Sequence, residues 1–168
     1  MTSNPANVYL IDGYNFLFRL TKTKAALQTK RLHFIETLND LISTLKLNAI
    51  VVFDSAHPSS RLPTRGHFDA LEIIYTTKNL SADAYILEKI QSAQHPEHIT
   101  VVTSDRDLTA SSKAFKAKTL SIEAFLNFLT KKKNKQKQKF PKTSILRDSD
   151  AEIERLLRIF EKRLENLS

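Results

Sequence analysis

Three apolar runs in this sequence end in aspartate: Val8-Tyr9-Leu10-Ile11-Asp12, Ala49-Ile50-Val51-Val52-Phe53-Asp54 and Ile99-Thr100-Val101-Val102-Thr103-Ser104-Asp105. A fourth acid, Asp83, follows Ser81-Ala82, and Asp107 stands two residues past Asp105. Carboxylates gathered in one place repel, and each resists ionising unless a cation sits among them. Magnesium suits such a group, with manganese as the alternative. It is hard, takes oxygen ligands, keeps several waters and needs only a few carboxylates. An ion of this kind lowers the pKa of its water and stabilises the oxygens of an in-line phosphodiester displacement. The chemistry implied is hydrolysis of a nucleic-acid backbone.

Whether the acids meet depends on the elements that carry them. Four apolar residues in a row leave no polar face, which describes a strand buried on both sides. Asp12 then projects from a carboxyl strand end, where open α/β sheets bind ligands and ions. Gly13 permits a tight turn, and Asn15 can bond the backbone as a helix begins. A second helix is expected over Lys24 to Leu47, with Leu27, Leu32, Ile35, Leu38, Ile42 and Leu45 as its apolar stripe. Ala49–Phe53 is a second buried strand, and Ser55–His67, with His57, Arg61, Arg65 and His67, reads as a basic loop. Phe68–Tyr75 is expected as an edge strand. Ser81 can cap a helix from Ala82 to about Ala93, which Pro96 stops. Ile99–Thr103 is a strand, a helix follows from Arg106 to about Phe115, and Lys118–Ser121 and Ile122–Leu129 are a last strand and helix.

Strands alternate with helices over residues 7–130, which predicts a parallel three-layer α/β sheet. The carboxyl ends of parallel strands share one edge, so Asp12, Asp54 and Asp105 share it too. Asp83, in the first turn of its helix, joins them from the same side, and Asp107 can support the group from behind. Each acid alone has a plainer use. Asp12-Gly13 also fits a hairpin turn, Asp105 a helix cap, Asp83 a favourable charge at a helix start, and Asp54 a loop. Three strand-end acids on one edge call for a common reason.

The totals narrow the options. At 168 residues the chain holds one domain and an appendage, and it has no cysteine, which removes disulfides, zinc–thiolate sites and thiol catalysis. Only Gly13 and Gly66 are glycines, which removes Gly-rich phosphate loops. Met1–Asn7 is short and polar and no apolar run approaches a membrane span, so a soluble, cytoplasmic protein without membrane partners is expected. The net charge of +8 resides in residues 131–147, which carry eight cations and no acid. This stretch reads as a basic linker between the core, residues 1–130, and an amphipathic helix over residues 148–168. Lys131, Lys132, Lys133, Lys135, Lys137 and Lys139 are candidates for RNA phosphates by counterion release, with Arg61 and Arg65 as a second contact. Phe140 can stack on a base or pack. The last helix, capped by Asp148 or Ser149, lines up Ile153, Leu156, Leu157, Phe160, Leu164 and Leu167. That stripe must be buried, on the core or against a partner.

Leu10-Ile11-Asp12-Gly13-Tyr14-Asn15, Val51-Val52-Phe53-Asp54-Ser55-Ala56-His57, Ser81-Ala82-Asp83 and Val102-Thr103-Ser104-Asp105 occur in the order seen in NYN-domain nucleases. The chain most resembles the YacP-like branch of these PIN-like proteins, over residues 8 to about 130. The resemblance implies a metal-dependent endoribonuclease acting on bacterial RNA, in some members in connection with the ribosome. It implies Asp12, Asp83 and Asp105 as metal ligands, Asn15 as a residue orienting ligand or water, and Asp54 beside them. Three departures stand out, one of them Arg106-Asp107-Leu108-Thr109 where the family carries other polar residues after the Ser-Asp pair. The family places a second acid four residues after Asp83, where this chain has Leu87, with Glu88 next along. A glycine expected before the last strand is replaced around Phe115–Ala117. A second expectation is therefore an RNA-binding adaptor that kept the fold without catalysis.

Other acid-bearing families fit less well. Flap-type 5′-nucleases share Asp12-Gly13 and Ser104-Asp105-Arg106-Asp107, but their Gly-rich duplex clamp cannot be built without a glycine beyond Gly66. Haloacid-dehalogenase phosphatases need a second acid where Tyr14 stands. A receiver domain needs an acidic pair near the first strand, which is absent.

Overall fold

The computed structural model describes residues 6–21, 27–54, 64–68, 70–138 and 158. The chain order is β1 (Val8–Asp12), α1 (Gly13–Leu20), α2 (Leu27–Leu45), β2 (Asn48–Phe53), β3 (Thr64–Phe68), β4 (Leu71–Tyr75), α3 (Ala82–Ser92), β5 (Ile99–Val102), α4 (Arg106–Ala114), β6 (Lys118–Leu120) and α5 (Ile122–Gln138). The six strands form one sheet in the order β3-β4-β2-β1-β5-β6. β4, β2, β1, β5 and β6 are mutually parallel, and β3 closes the edge antiparallel to β4. The expected three-layer α/β architecture is thus present.

Strand periodicity sorts side chains between two cores. Ile11, Val51, Phe53, Ile73 and Val102 face α1, α2 and α5, whereas Leu10, Val52, Ile74 and Val101 face α3 and α4. Adjacent residues on one strand thus serve opposite layers, which is why Val8–Ile11 and Ala49–Phe53 carry no polar position. The first core is aromatic, with Phe16, Phe34, Phe53 and Phe125 fully buried; the second is built from smaller aliphatic groups, with Tyr85 its one buried ring.

Several expectations change in detail. In α2, Leu32 is 49% exposed, and the buried positions include Phe34 instead. The edge expected from Phe68 to Tyr75 is a hairpin: β3 takes Thr64–His67 from the expected loop, the chain turns at Ala70, and β4 begins at Leu71. The buried Asn39 of α2 fixes that turn by accepting the Ala70 N–H at 3.0 Å. The glycine missing before the last strand has a substitute. Lys116 takes the left-handed conformation at φ 69°, and Ala117 N–H returns to Ser112 C=O at 3.0 Å. A lysine pays about 1 kcal/mol for a position that glycine fills freely.

α5 does not stop at Leu129. It runs to Gln138, so Lys131, Lys132, Lys133, Lys135 and Lys137 lie on a helix and not in a linker. Lysine and glutamine are good helix formers, and cations favour the carboxyl end of a helix dipole. Lys132 also sits 5.8 Å from the Phe128 ring centre. Lys139, Phe140, the rest of the expected linker and, apart from helical Arg158, the expected helix over 148–168 lie outside the described residues, as do His57 and Arg61.

Candidate active site

With β3 set aside, all strands run parallel and the order in which they are added reverses between β1 and β5, since β2 and β4 extend to one side of β1 and β5 and β6 to the other. The crevice beyond the carboxyl ends at such a reversal is where open α/β sheets bind ligands. β1 delivers Asp12 to it, β2 is followed by Asp54, and β5 is followed by Thr103-Ser104-Asp105. Gly13 is needed here for space. Its φ is not positive, but a Cβ on it would stand 2.5 Å from the Phe53 ring, so only glycine lets α1 start directly above that ring. Around it, the Tyr14 hydroxyl accepts a hydrogen bond from Arg31 at 2.8 Å, and the Arg31 guanidinium lies 5.1 Å from the centre of Tyr75, which stacks on Phe53. This aromatic group clamps the ends of β2 and β4 beneath α1.

Asp12 is only 7% exposed. Burial, foremost, and the charge of Asp83 push its carboxyl up to about 7, with Asp54 adding in the same sense; the Thr103 hydroxyl and the Asn15 backbone oppose them. Asp83 is also raised, by burial first and then by Asp105 and Asp54. Asp83 is therefore the hub, within electrostatic reach of the other three acids. Burial and neighbouring carboxylates thus disfavour the charged forms of Asp12 and Asp83, a cost that a cation placed among them would relieve.

Hydrogen bonds hold the group in place. Thr103 Oγ1 donates to Asp12 Oδ2 at 3.1 Å, lies 3.3 Å from Asn15 Oδ1 and accepts the Asp105 N–H at 3.1 Å. Asn15 Oδ1 also accepts the Ser104 N–H at 2.8 Å, pinning the β5–α4 loop to α1. Asp54 Oδ1 accepts the Ala82 N–H at 2.7 Å, which aligns the start of α3. Ser81 Oγ accepts the Ala84 N–H, as expected of the cap, and Asp105 Oδ1 caps α4 through Leu108 N–H at 2.8 Å. The plain use of Asp105 as a cap and its electrostatic reach to Asp83 thus coexist.

Asp12, Asp54, Asp83 and Asp105 converge; Asp107 does not. It is exposed in the first turn of α4, with no described interaction joining it to the others. Leu87, one turn after Asp83, packs against the second core, and Glu88 is exposed. Asn15 sits where expected, but its carbonyl oxygen is committed to the loop, which makes it a positioning residue. Among the described residues, no three His, Asp or Glu side chains close on one point at metal-ligand spacing. The donor set still fits a hard cation. It is all oxygen, and magnesium retains waters that bridge a group wider than direct coordination.

The sequence model of the YacP-like NYN domain matches residues 9–167. The chain belongs to the YacP-like NYN domain family. This is a nuclease-type family. Its fold is similar to two crystal structures of Rae1 (YacP) from Bacillus subtilis. One, of a point mutant, is 21% identical with a TM-score of 0.58 and covers 96% of this chain and 100% of that chain. The other is 24% identical with a TM-score of 0.56 and covers 79% of each. No curated protein matches the chain. Among the described residues, no helix of this YacP-like protein is long and apolar enough to cross a membrane.

Sequence reasoning missed Thr103 as the pivot of the YacP-like site. The signal was present: a hydroxyl residue closes an otherwise apolar strand end, directly before Ser-Asp. A hydroxyl at that strand end lies beside the end of β1, within reach of Asp12 and Asn15.

Proposed function

We propose that this protein is a magnesium- or manganese-dependent endoribonuclease that hydrolyses RNA phosphodiester bonds. The observation that carries the proposal is Asp12, buried at the strand-order switch point with Asp83 and Asp54 within electrostatic reach, its carboxyl pushed up to about 7 by burial first and by those two acids after it. Asp12, Asp83 and Asp105 would hold the metal, with Asp54 beside them. When bound, the ion would supply an activated water and charge neutralisation at the phosphate. The residues of the chain do the rest. Thr103 and Asn15 orient Asp12 and the Ser104–Asp105 loop, and Asp54 sets the angle at which α3 presents Asp83. The helical lysines Lys131, Lys132, Lys133, Lys135 and Lys137 offset the repulsion between an acidic centre and RNA, and Lys139 extends that run in sequence. By the family resemblance, the RNA is bacterial, and an encounter with it on the ribosome is part of the proposal.

A second reading, an RNA-binding adaptor without catalysis, is favoured by Leu87 in place of an acid and by the absence of a closed ligand trio among the described residues. RNA cleavage by the wild type, Asp12→Asn and Asp105→Asn, with each metal and with chelator, separates the two. Metal-dependent cleavage lost in both variants supports the nuclease. Cleavage that survives both substitutions or ignores chelator rules it out, and RNA binding without any cleavage supports the adaptor.

A further inference from the structure

Beside the acids, on the β5–β6 side of the same sheet edge, lies a cleft of about 820 Å³. Thr103 and Ser104 line it, so it begins where the acidic group ends. Its wall on α4 is formed by Arg106, Thr109, Ala110 and Lys113, a stripe at helical spacing. Leu108 and Ser112 of the same helix are buried. The opposite wall carries Arg19 and Glu123, which form an ion pair with each other. Ser104 Oγ accepts the Ile122 N–H at 3.4 Å, which ties the floor to the start of α5.

The charge balance is uneven. Glu123 is the one acid in the lining, and Arg19 already neutralises it. Arg106 and Lys113 have no anionic partner among the described residues. They are seven positions apart, about 10 Å along the helix axis, which favours a run of phosphates over a lone anion. The volume lies within the range of sites that bury a small ligand, enough for about one or two nucleotides.

We propose that this cleft seats the phosphodiester backbone of the single-stranded RNA flanking the scissile bond, with Arg106 and Lys113 contacting its phosphates. The inference rests on the nuclease reading of the adjacent acids. It assigns the cleft a task different from that of the lysines on α5, because only the cleft shares residues with the acidic centre.

The test is binding of a labelled single-stranded RNA oligonucleotide to the full chain in chelator, over a salt series. Arg106→Gln/Lys113→Gln is expected to bind about tenfold more weakly, with a log–log salt slope shallower by about 1.4, or 0.7 for each lost phosphate contact on a single strand. Arg106→Lys/Lys113→Arg is expected to keep the slope, and circular dichroism checks that both variants fold. An unchanged affinity and slope in the Gln variant overturns the proposal. So does competition by inorganic phosphate or polyglutamate that matches unlabelled RNA charge for charge. The two readings fail separately. A wild type that cleaves RNA while the Gln variant binds normally loses the cleft and keeps the nuclease. A wild type that never cleaves while the Gln variant loses RNA keeps the cleft and loses the nuclease.

Discussion

The starts of α3 and α4 carry the same local pattern and put it to opposite uses. Each has a capping residue, one intervening residue and then an aspartate: Ser81-Ala82-Asp83 and Asp105-Arg106-Asp107. In α3 the cap Ser81 is exposed and Asp83 joins the acidic group; in α4 the cap Asp105 joins the group and Asp107 is exposed. Helix geometry explains the exchange. Two residues are about 200° of rotation, so a cap and the second residue after it point to nearly opposite sides. If the cap faces the crevice, the next aspartate cannot. What decides the phase is the loop before each helix. Asp54 draws in the Ala82 N–H, whereas Thr103 holds the Asp105 N–H directly behind Asp12. An aspartate near a helix start is therefore not a site residue by position alone; the anchoring of the preceding loop makes it one.

The strongest way to sharpen this contrast is through Asp12, which Asp83 crowds and Asp107 does not. The folded carboxyl sits near 7 against an ordinary value of 3.8. The folded state therefore holds a proton that the unfolded chain releases between these limits. The stability linked to that proton is fully present below about pH 4 and lost as pH rises to 7. A shift of about 3 units corresponds to about 4 kcal/mol. Asp12→Asn, which cannot ionise, should match the wild type near pH 4 and be the more stable protein by up to about 4 kcal/mol at pH 8. Denaturant unfolding in chelator across that range measures the difference. A difference that stays flat with pH would mean that neither burial nor the neighbouring acids raise the Asp12 carboxyl.

Much of this arrangement was legible in the sequence because local pattern and global position coincide there. Short uninterrupted apolar runs bounded by turn residues read as doubly buried strands, and their alternation with helices puts the carboxyl ends of the parallel strands on one edge. That logic placed Asp12, Asp54, Asp83 and Asp105 together. It failed where the deciding contact is distant or the local signal has two outcomes. Asp107 shares the spacing of Asp83 and differs only in phase. The turn at Ala70 contains neither glycine nor proline; Asn39, 31 residues away, fixes it. A run of like charges at 131–137 reads locally as a solvated linker, yet the α5 core residues Phe125, Leu126 and Leu129 anchor the helix that continues through it. Leu32 and Phe34 lie on different faces of α2, and both are apolar, so periodicity alone does not say which is buried.

A smaller effect separates capping from chemistry. Asp105→Ser keeps a good capping oxygen, so it should change stability by less than about 0.5 kcal/mol, whereas Asp105→Ala and Ser81→Ala should each cost about 1 kcal/mol. Cleavage should divide these variants differently, with Ser81→Ala retaining it and Asp105→Ser losing it. Denaturant melts paired with a cleavage assay test this directly. A cleaving Asp105→Ser would reduce Asp105 to a cap.

The two equivalent aspartates provide the most direct test of the acidic centre. RNA cleavage should be titrated with manganese in the wild type, Asp83→Asn and Asp107→Asn. Removing a residue that orients a metal or stabilises developing charge costs about a hundredfold or more. Asp83→Asn should fall by at least about that factor at every metal concentration, while Asp107→Asn stays within about twofold of the wild type. Equal activity in Asp83→Asn and the wild type, or an equal loss in both variants, would contradict the account.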